Sequence, residues 1–209
     1  MALFSNRDDA GRRLAAALER WRDAGAVVVG IPRGGVVVGA AVARELGLPL
    51  TAVVVRKLGA PAHEEFAVGA IADDIRLVDA AAVRAEGADA EALRAVEERE
   101  RAELRRRGEL FAGGPDVTGR PVLVVDDGVA TGATATVACR ALRARGATRI
   151  VLAVPVAPAH WHPPADAVDE FVCPHRETPF WAVGQFYDDF TQTRDAEVVD
   201  LLSNDPRAG

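Results

Sequence analysis

The densest chemistry in the chain lies in Val122-Leu-Val-Val-Asp126-Asp127-Gly-Val-Ala130-Thr131-Gly132-Ala133-Thr134. An apolar run suited to a buried strand delivers two neighbouring carboxylates at its carboxyl end, and a short turn then opens a helix. Thr131, Gly132, Ala133 and Thr134 fall at that helix N-terminus, where unpaired backbone N–H groups and the positive end of the helix dipole attract a phosphate. Gly132 permits close approach to the backbone, and the two threonine hydroxyls add donors. Two carboxylates in contact with the same phosphate would repel it, so they must face another part of the ligand. A ribose diol fits, because its hydroxyls donate to carboxylate oxygens, and the same charges favour positive charge developing on the sugar ring. The motif is not a Walker A loop, whose lysine is missing.

Two further stretches carry anion chemistry. Gly30-Ile-Pro-Arg33-Gly34-Gly35 follows an apolar run and combines exposed backbone N–H groups with a cation. Arg56-Lys57 follows a second such run, and Lys57 is the one lysine among 25 basic residues. In an alanine-rich chain that has drifted from lysine to arginine, a surviving lysine is a candidate for work that needs a compact point charge.

The elements that must position these residues read as follows. Ser5–Ala24 is a helix capped at Asn6 or Ser5, Ala26–Ile31 a buried strand, and Val36–Leu46 a helix closed by Gly47. Thr51–Val55 is a second strand, running out at Arg56-Lys57, and strand–helix–strand over this distance implies parallel pairing. Leu58–Asp74 contains an exposed, mobile loop, with hairpin strands at Phe66–Ala72 and Ile75–Val78. Residues 79–112 are helical and charged, with Glu97/Arg101 and Glu103/Arg107 at i,i+4, as on a solvated face or a dimer arm. Beyond Gly113-Gly114-Pro115 come a strand at Pro121–Val125, a helix at Thr134–Arg145, strands at Ile150–Val156 and Ala167–Cys173, and a tail ending in a short helix. The expectation is one doubly wound α/β domain over 1–209, its mostly parallel sheet covered by helices on both faces. Parallel strands would bring all three motifs to the carboxyl edge, where such folds bind ligands.

The 122–134 block resembles the PRPP-binding signature of type I phosphoribosyltransferases, and as a whole the chain is similar to small bacterial members without an assigned substrate. The resemblance covers residues 26–156 as a framework. It implies that Asp126 and Asp127 hold the ribose hydroxyls and that Ala130, Thr131, Gly132, Ala133 and Thr134 hold the 5′-phosphate. Pyrophosphate would fall to Arg33, Gly34, Gly35, Arg56 and Lys57, with Asp126, Asp127 and Lys57 as the catalytic set. The implied cofactor is Mg²⁺, met by Asp126 and Asp127 through water. The implied activity is transfer of the phosphoribosyl group from PRPP to a small nitrogenous base; the alternative is a PRPP- or nucleotide-sensing module without turnover. A hood over residues 157–209 would cover the base, with Trp181 stacking on it and Asp188 or Asp189 nearby. His63, Glu64 and Glu65 of the mobile loop are candidates to touch the leaving group or base. The chain departs from the family's 6-oxopurine enzymes at Ala130, where those carry an acid, and in a helical insertion at 79–118. A homodimer is compatible with the pattern.

Composition narrows the alternatives. With 209 residues, 49% of them hydrophobic, the chain can build a sizeable core, and a net charge of −6 argues against a nucleic-acid binder. Two cysteines and the absence of a secretory signal suggest a reducing, cytoplasmic setting. The apolar window Ala24–Ala43 is broken by Pro32-Arg33-Gly34-Gly35, so it is not a membrane span. His160, His162, Cys173 and His175 lack compact metal-ligand spacing, and no Gly-x-Ser-x-Gly nucleophile elbow occurs.

Overall fold

A computed structural model describes residues 2–204, with the backbone alone for Glu64 and Glu65. Its centre is a five-stranded parallel sheet: β1 (Val27–Gly30), β2 (Leu50–Ala52), β6 (Pro121–Val125), β7 (Arg149–Ala153) and β9 (Glu170–Val172), in the order β2-β1-β6-β7-β9. Gly30 lies level with Ala52 on one side and Val125 on the other, and Val125 lies level with Ala153. The loops that leave these strands therefore emerge at one edge.

Alternation along the strands sends side chains to two separate cores. Val27, Val29, Val122, Val124, Ile150 and Leu152 pack with α5 (Ala133–Ala144). Val28, Leu50, Leu123, Val125 and Val151 pack with α1 (Arg7–Ala17), α2 (Gly34–Leu46) and α6 (Asp195–Ser203). A sheet covered on both faces explains why the strands read as unbroken apolar runs. The fold is the α/β arrangement the sequence implies, with helices on both sides.

Several boundaries differ. The first helix stops at Ala17 and is followed by a 3₁₀ turn at Glu19–Trp21, while Asn6 caps it by accepting from the Asp9 N–H at 2.9 Å. The second strand ends at Ala52, opposite the last residue of β1, so Arg56-Lys57 does not end it. These two residues instead open β3 (Arg56–Ala60), the edge of an antiparallel ribbon with β4 (His63–Ala72) and β5 (Ile75–Val78). The segment expected to be an exposed loop is thus largely strand. The reason is apolar: Leu58, Ala60, Val68 and Ile71 are fully buried against Leu93 and Leu104.

Those two leucines belong to the helical insertion, which divides into α3 (Ala80–Ala85) and α4 (Ala90–Leu110) around Gly87, whose φ of +61° ends the first helix. Its inner face is a lid on the ribbon, so α4 is more than a solvated surface. The expected strand at Ile150–Val156 is also interrupted: Pro155 follows β7, and β8 (Val156–Pro158) pairs with β10 (His175–Glu177) in a separate two-stranded sheet. The Ala167–Cys173 strand shortens to β9.

Among the described residues no helix is long and apolar enough to cross a membrane.

Candidate active site

The carboxyl edge of β1 and β6 opens into a cavity of about 360 Å³. Its walls are the turn Ile31–Gly34, the run Asp126–Gly132 with Thr134, and Lys57 from the ribbon. Three motifs separated in sequence by tens of residues therefore meet at one place. The helix α5 begins there: Gly132 is its cap, held at φ +81°, a conformation that suits glycine, and its carbonyl accepts from the Thr136 N–H at 2.9 Å. No side chain caps this end. The first N–H groups of α5 thus face the cavity as donors for an anion.

The acid pair is electrostatically costly. Burial, and then the neighbouring Asp127, push the Asp126 carboxyl well above the ordinary carboxylate range. Burial also raises Asp127, against the pull of Arg7. The Arg7 Nε donates to Asp127 Oδ2 at 2.8 Å, and both side chains are nearly closed off from solvent. Asp126 Oδ1 accepts from the Asp127 N–H at 2.9 Å, and Tyr187 Oη donates to the Asp127 carbonyl at 2.5 Å. Groups held in this way are pre-oriented acceptors for a ligand's hydroxyls.

A second cleft of about 370 Å³ adjoins the first and shares Pro32, Lys57 and Thr134 with it. Its walls add Arg56, Arg99, Glu100 and Arg107, the last three from α4. Arg56 Nε donates to Glu100 Oε2 at 2.8 Å, whereas the Lys57 ammonium makes no hydrogen bond or ion pair among the described residues. An unpartnered ammonium between two clefts is well placed to meet a phosphate. The cleft's positive balance also shows how an acidic chain concentrates cation locally.

The other expected residues sort unevenly. Arg33 caps α2 and lines the cavity, with its guanidinium 3.5 Å from Asp195 Oδ1. Gly34 and Gly35 form the first turn of α2, with Gly35 packed against the Val125 carbonyl rather than on the cavity wall. Ala130 lies on the wall; Ala133 does not. Trp181 is 84% exposed and lies off the cavity, although Val183 of the same segment packs on Gly128. Asp189 accepts from the Thr191 N–H and hydroxyl, and His63 pairs with Glu86 at 2.6 Å on the surface. The side chains of Glu64 and Glu65 lie outside the described residues.

Three contributors escape a reading of the sequence. Arg7 sits 120 residues from its partner. Trp161 lies over the turn that opens α5: its indole N–H donates to the Thr131 carbonyl at 3.1 Å, and a Cβ on Gly132 would clash with its ring. Tyr187 reads as packing, yet its hydroxyl anchors the Asp127 backbone. None has a local sequence signal, since each acts through a contact that the fold creates. Among the described residues no group of three His, Cys, Asp or Glu side chains could hold a metal, and Cys173 Sγ instead donates to the His175 carbonyl at 3.2 Å.

Comparison with known proteins gives a consistent result. Two sequences of a Mycobacterium tuberculosis protein provisionally named a phosphoribosyl transferase, from strains CDC 1551 / Oshkosh and ATCC 25618 / H37Rv, are each 48% identical over 97% of this chain. The chain spans about half the length of these curated relatives (47%). The crystal structure of TT1426 from Thermus thermophilus is 39% identical, covers 99% of both chains and superposes with a TM-score of 0.75. The family model for the phosphoribosyl transferase domain matches residues 5–191, from the helix that carries Arg7 to the threonine whose carbonyl receives it, and with these relatives it shows that the chain belongs to the type I phosphoribosyltransferase family.

Proposed function

We propose that residues 1–209 act as one unit that transfers the 5-phosphoribosyl group from PRPP to a nitrogen nucleophile. The bond from the anomeric carbon to the pyrophosphate oxygen breaks, a bond from that carbon to the acceptor nitrogen forms, and the nitrogen's proton departs. The observation that carries this reading is the meeting of Asp126, Asp127, the open N-terminus of α5 and Lys57 around one cavity. The α5 terminus receives the 5′-phosphate, the acid pair receives the ribose hydroxyls, and Arg33, Arg56 and Lys57 meet the pyrophosphate. Arg99 and Arg107 extend that basic wall. Catalysis then rests on positioning and on charge placed against an oxocarbenium-like sugar.

The donor set suits a hard cation carried in with the ligand rather than a resident one: two carboxylates are present, with no third ligand among the described residues. Asp126 and Asp127 would hold Mg²⁺ through water, and the metal would supply neutralising charge to the departing pyrophosphate. The exposed Trp181 and the Asp188–Asp189 pair belong to the segment proposed to cover the base.

The test is calorimetry with PRPP and Mg²⁺, followed by pyrophosphate release with purine, pyrimidine and pyridine acceptors. Binding and release with one acceptor class are expected; a folded protein that binds no PRPP overturns the reading. Tight binding with no release from any acceptor would replace it with the non-catalytic sensing function. Among acceptors, hypoxanthine and guanine are expected to be poor, because Ala130 offers no carboxylate near the base. A kcat/KM that favours either would send the search for the missing acid to Asp188 or Asp189.

Lys57→Met is expected to weaken PRPP binding or turnover about tenfold or more, since a charge-assisted bond to phosphate is worth about 1.5–3 kcal/mol. Its melting temperature should stay close to that of the parent, because the side chain is exposed and unpaired among the described residues. Equal binding and turnover in both proteins would make the lone lysine an accident of composition.

A further inference from the structure

The contacts of Arg7 reach further than one ion pair. Its Nε donates to Asp127 Oδ2 at 2.8 Å, while its Nη1 donates to the Thr191 carbonyl at 2.8 Å. Its guanidinium stacks on Phe190, 3.9 Å from the ring centroid, and Phe190 lines the cavity. One planar cation therefore touches the acid pair on one side and the C-terminal tail on the other. The backbone beside it reinforces the link: the Phe4 N–H donates to the Phe186 carbonyl, and the Asp188 and Asp189 N–H groups donate to Phe4 and Ser5. Phe4 is buried against Tyr187, whose hydroxyl holds the Asp127 carbonyl.

We propose that Arg7 is a positioning residue: it fixes the Asp127 carboxylate for the ligand's ribose and makes the docking of the tail, through Phe190 and Thr191, a condition of that fixed position. The ligand assignment rests on the phosphoribosyl reading above; the coupling of tail to carboxylate rests on the contacts themselves. Lysine could supply the charge but not the fork that donates in two directions while lying flat on a ring. Arg7 donates its hydrogen bond to one carboxylate oxygen, Oδ2. A carboxylate so held is ready to accept a hydroxyl without reorganising.

Asp127 is also faced by Asp126 from its own strand end, Lys57 from β3 and Tyr187 from the tail, while Asp189 faces Arg7. Arg7 is the group that both donates to the Asp127 carboxylate and receives the tail. If it acts on the ligand through Asp127, the losses caused by changing the two residues are not additive.

The experiment measures PRPP–Mg²⁺ affinity by calorimetry in the parent, Arg7→Met, Arg7→Lys, Asp127→Asn and the Arg7→Met/Asp127→Asn double variant, and follows the Phe190 and Thr191 resonances by NMR in the ligand-free proteins. Arg7→Met is expected to weaken binding about tenfold and to shift the tail resonances. Arg7→Lys should bind several-fold more weakly than the parent, and the double variant should bind about as weakly as Asp127→Asn alone. Additive losses in the double variant, unmoved tail resonances in Arg7→Met, or Arg7→Lys with the parent's affinity would overturn the proposal. If Arg7→Met does not fold, Arg7→Lys alone decides by its affinity and its tail resonances. A parent whose tail resonances respond to the substitution but that binds no PRPP would instead overturn the phosphoribosyl reading and leave the coupling standing as a property of the fold.

Discussion

Asp126→Asn is expected to raise the melting temperature at neutral pH while weakening PRPP binding by about 10- to 100-fold. The two effects share a cause. Burial and the adjacent Asp127 hold the Asp126 carboxyl well above its ordinary range. For an acid raised in the folded state, the folded chain binds more protons between the unfolded pKa and the folded one, so stability is lost as pH rises through that window. The window opens at about pH 4, the ordinary aspartate value. Asparagine never ionises and escapes this loss, while its side-chain oxygen can still accept from the Asp127 N–H as Asp126 Oδ1 does. The gain in melting temperature should be near zero below about pH 4 and grow towards neutrality, at about 2–4 °C per kcal/mol for a chain of this size. The loss of affinity follows because a bond to a charged acceptor is worth about 1.5–3 kcal/mol. Thermal melts from pH 3.5 to 8 with parallel calorimetry check both. A variant less stable than the parent at neutral pH, or one that binds PRPP as the parent does, would show that Asp126 is held for structure.

Such a residue, unfavourable for the fold and favourable for a ligand, is legible in the sequence because one local segment contains all its parts. Val122 to Thr134 runs strand, acid pair, turn and helix without help from elsewhere, and the structure keeps that order. The β1 segment and its glycine turn are legible for the same reason. What does not show is any partner supplied across the fold. Arg7 lies in a helix whose sequence says only that it is amphipathic and capped at Asn6 or Ser5. The hairpin of β4 and β5 is legible, but the ribbon's first strand, β3, escapes because Leu58 and Ala60 sit among polar and small residues, with apolar spacing too sparse to predict a strand until α4 is laid over them. Likewise, i,i+4 charge pairs such as Glu103 with Arg107 mark α4 as solvated, although this pair is half-buried. The same helix nevertheless turns Arg99 and Arg107 towards the basic cleft, which no pairing rule discloses. Local patterns thus report the acid pair and the turn into α5; tertiary contacts determine what orients them.

The two glycines of Pro32-Arg33-Gly34-Gly35 separate fold from site more sharply than any other pair, and their alanine variants are expected to fail in opposite ways. The sequence suggests that both expose backbone N–H groups to pyrophosphate, but the packing gives each a reason of its own. A Cβ on Gly35 would lie 2.6 Å from the Val125 carbonyl oxygen and 2.9 Å from the Asp126 Cα. Those atoms belong to the central strand β6 and its end, so α2 would have to move off the sheet. Overpacking of this kind costs about 1–3 kcal/mol, which lowers the melting temperature by roughly 2–12 °C in a chain of this size. A Cβ on Gly34 would instead fall on the Asp127 carboxylate and 2.7 Å from Arg7 Nε. Side-chain ends can rotate where a sheet cannot, so Gly34→Ala should fold with a smaller loss of melting temperature than Gly35→Ala. The rotation nevertheless separates Arg7 from Asp127 and turns the carboxylate away from the ribose. PRPP affinity is therefore expected to fall about tenfold or more, as for loss of a charged hydrogen bond. Melting curves and calorimetry on the two variants side by side give the answer. If Gly34→Ala is the less stable protein, or retains the parent's affinity, then Gly34 is a helix-packing residue like its neighbour, and clearance for the Arg7–Asp127 pair is not what the glycine provides.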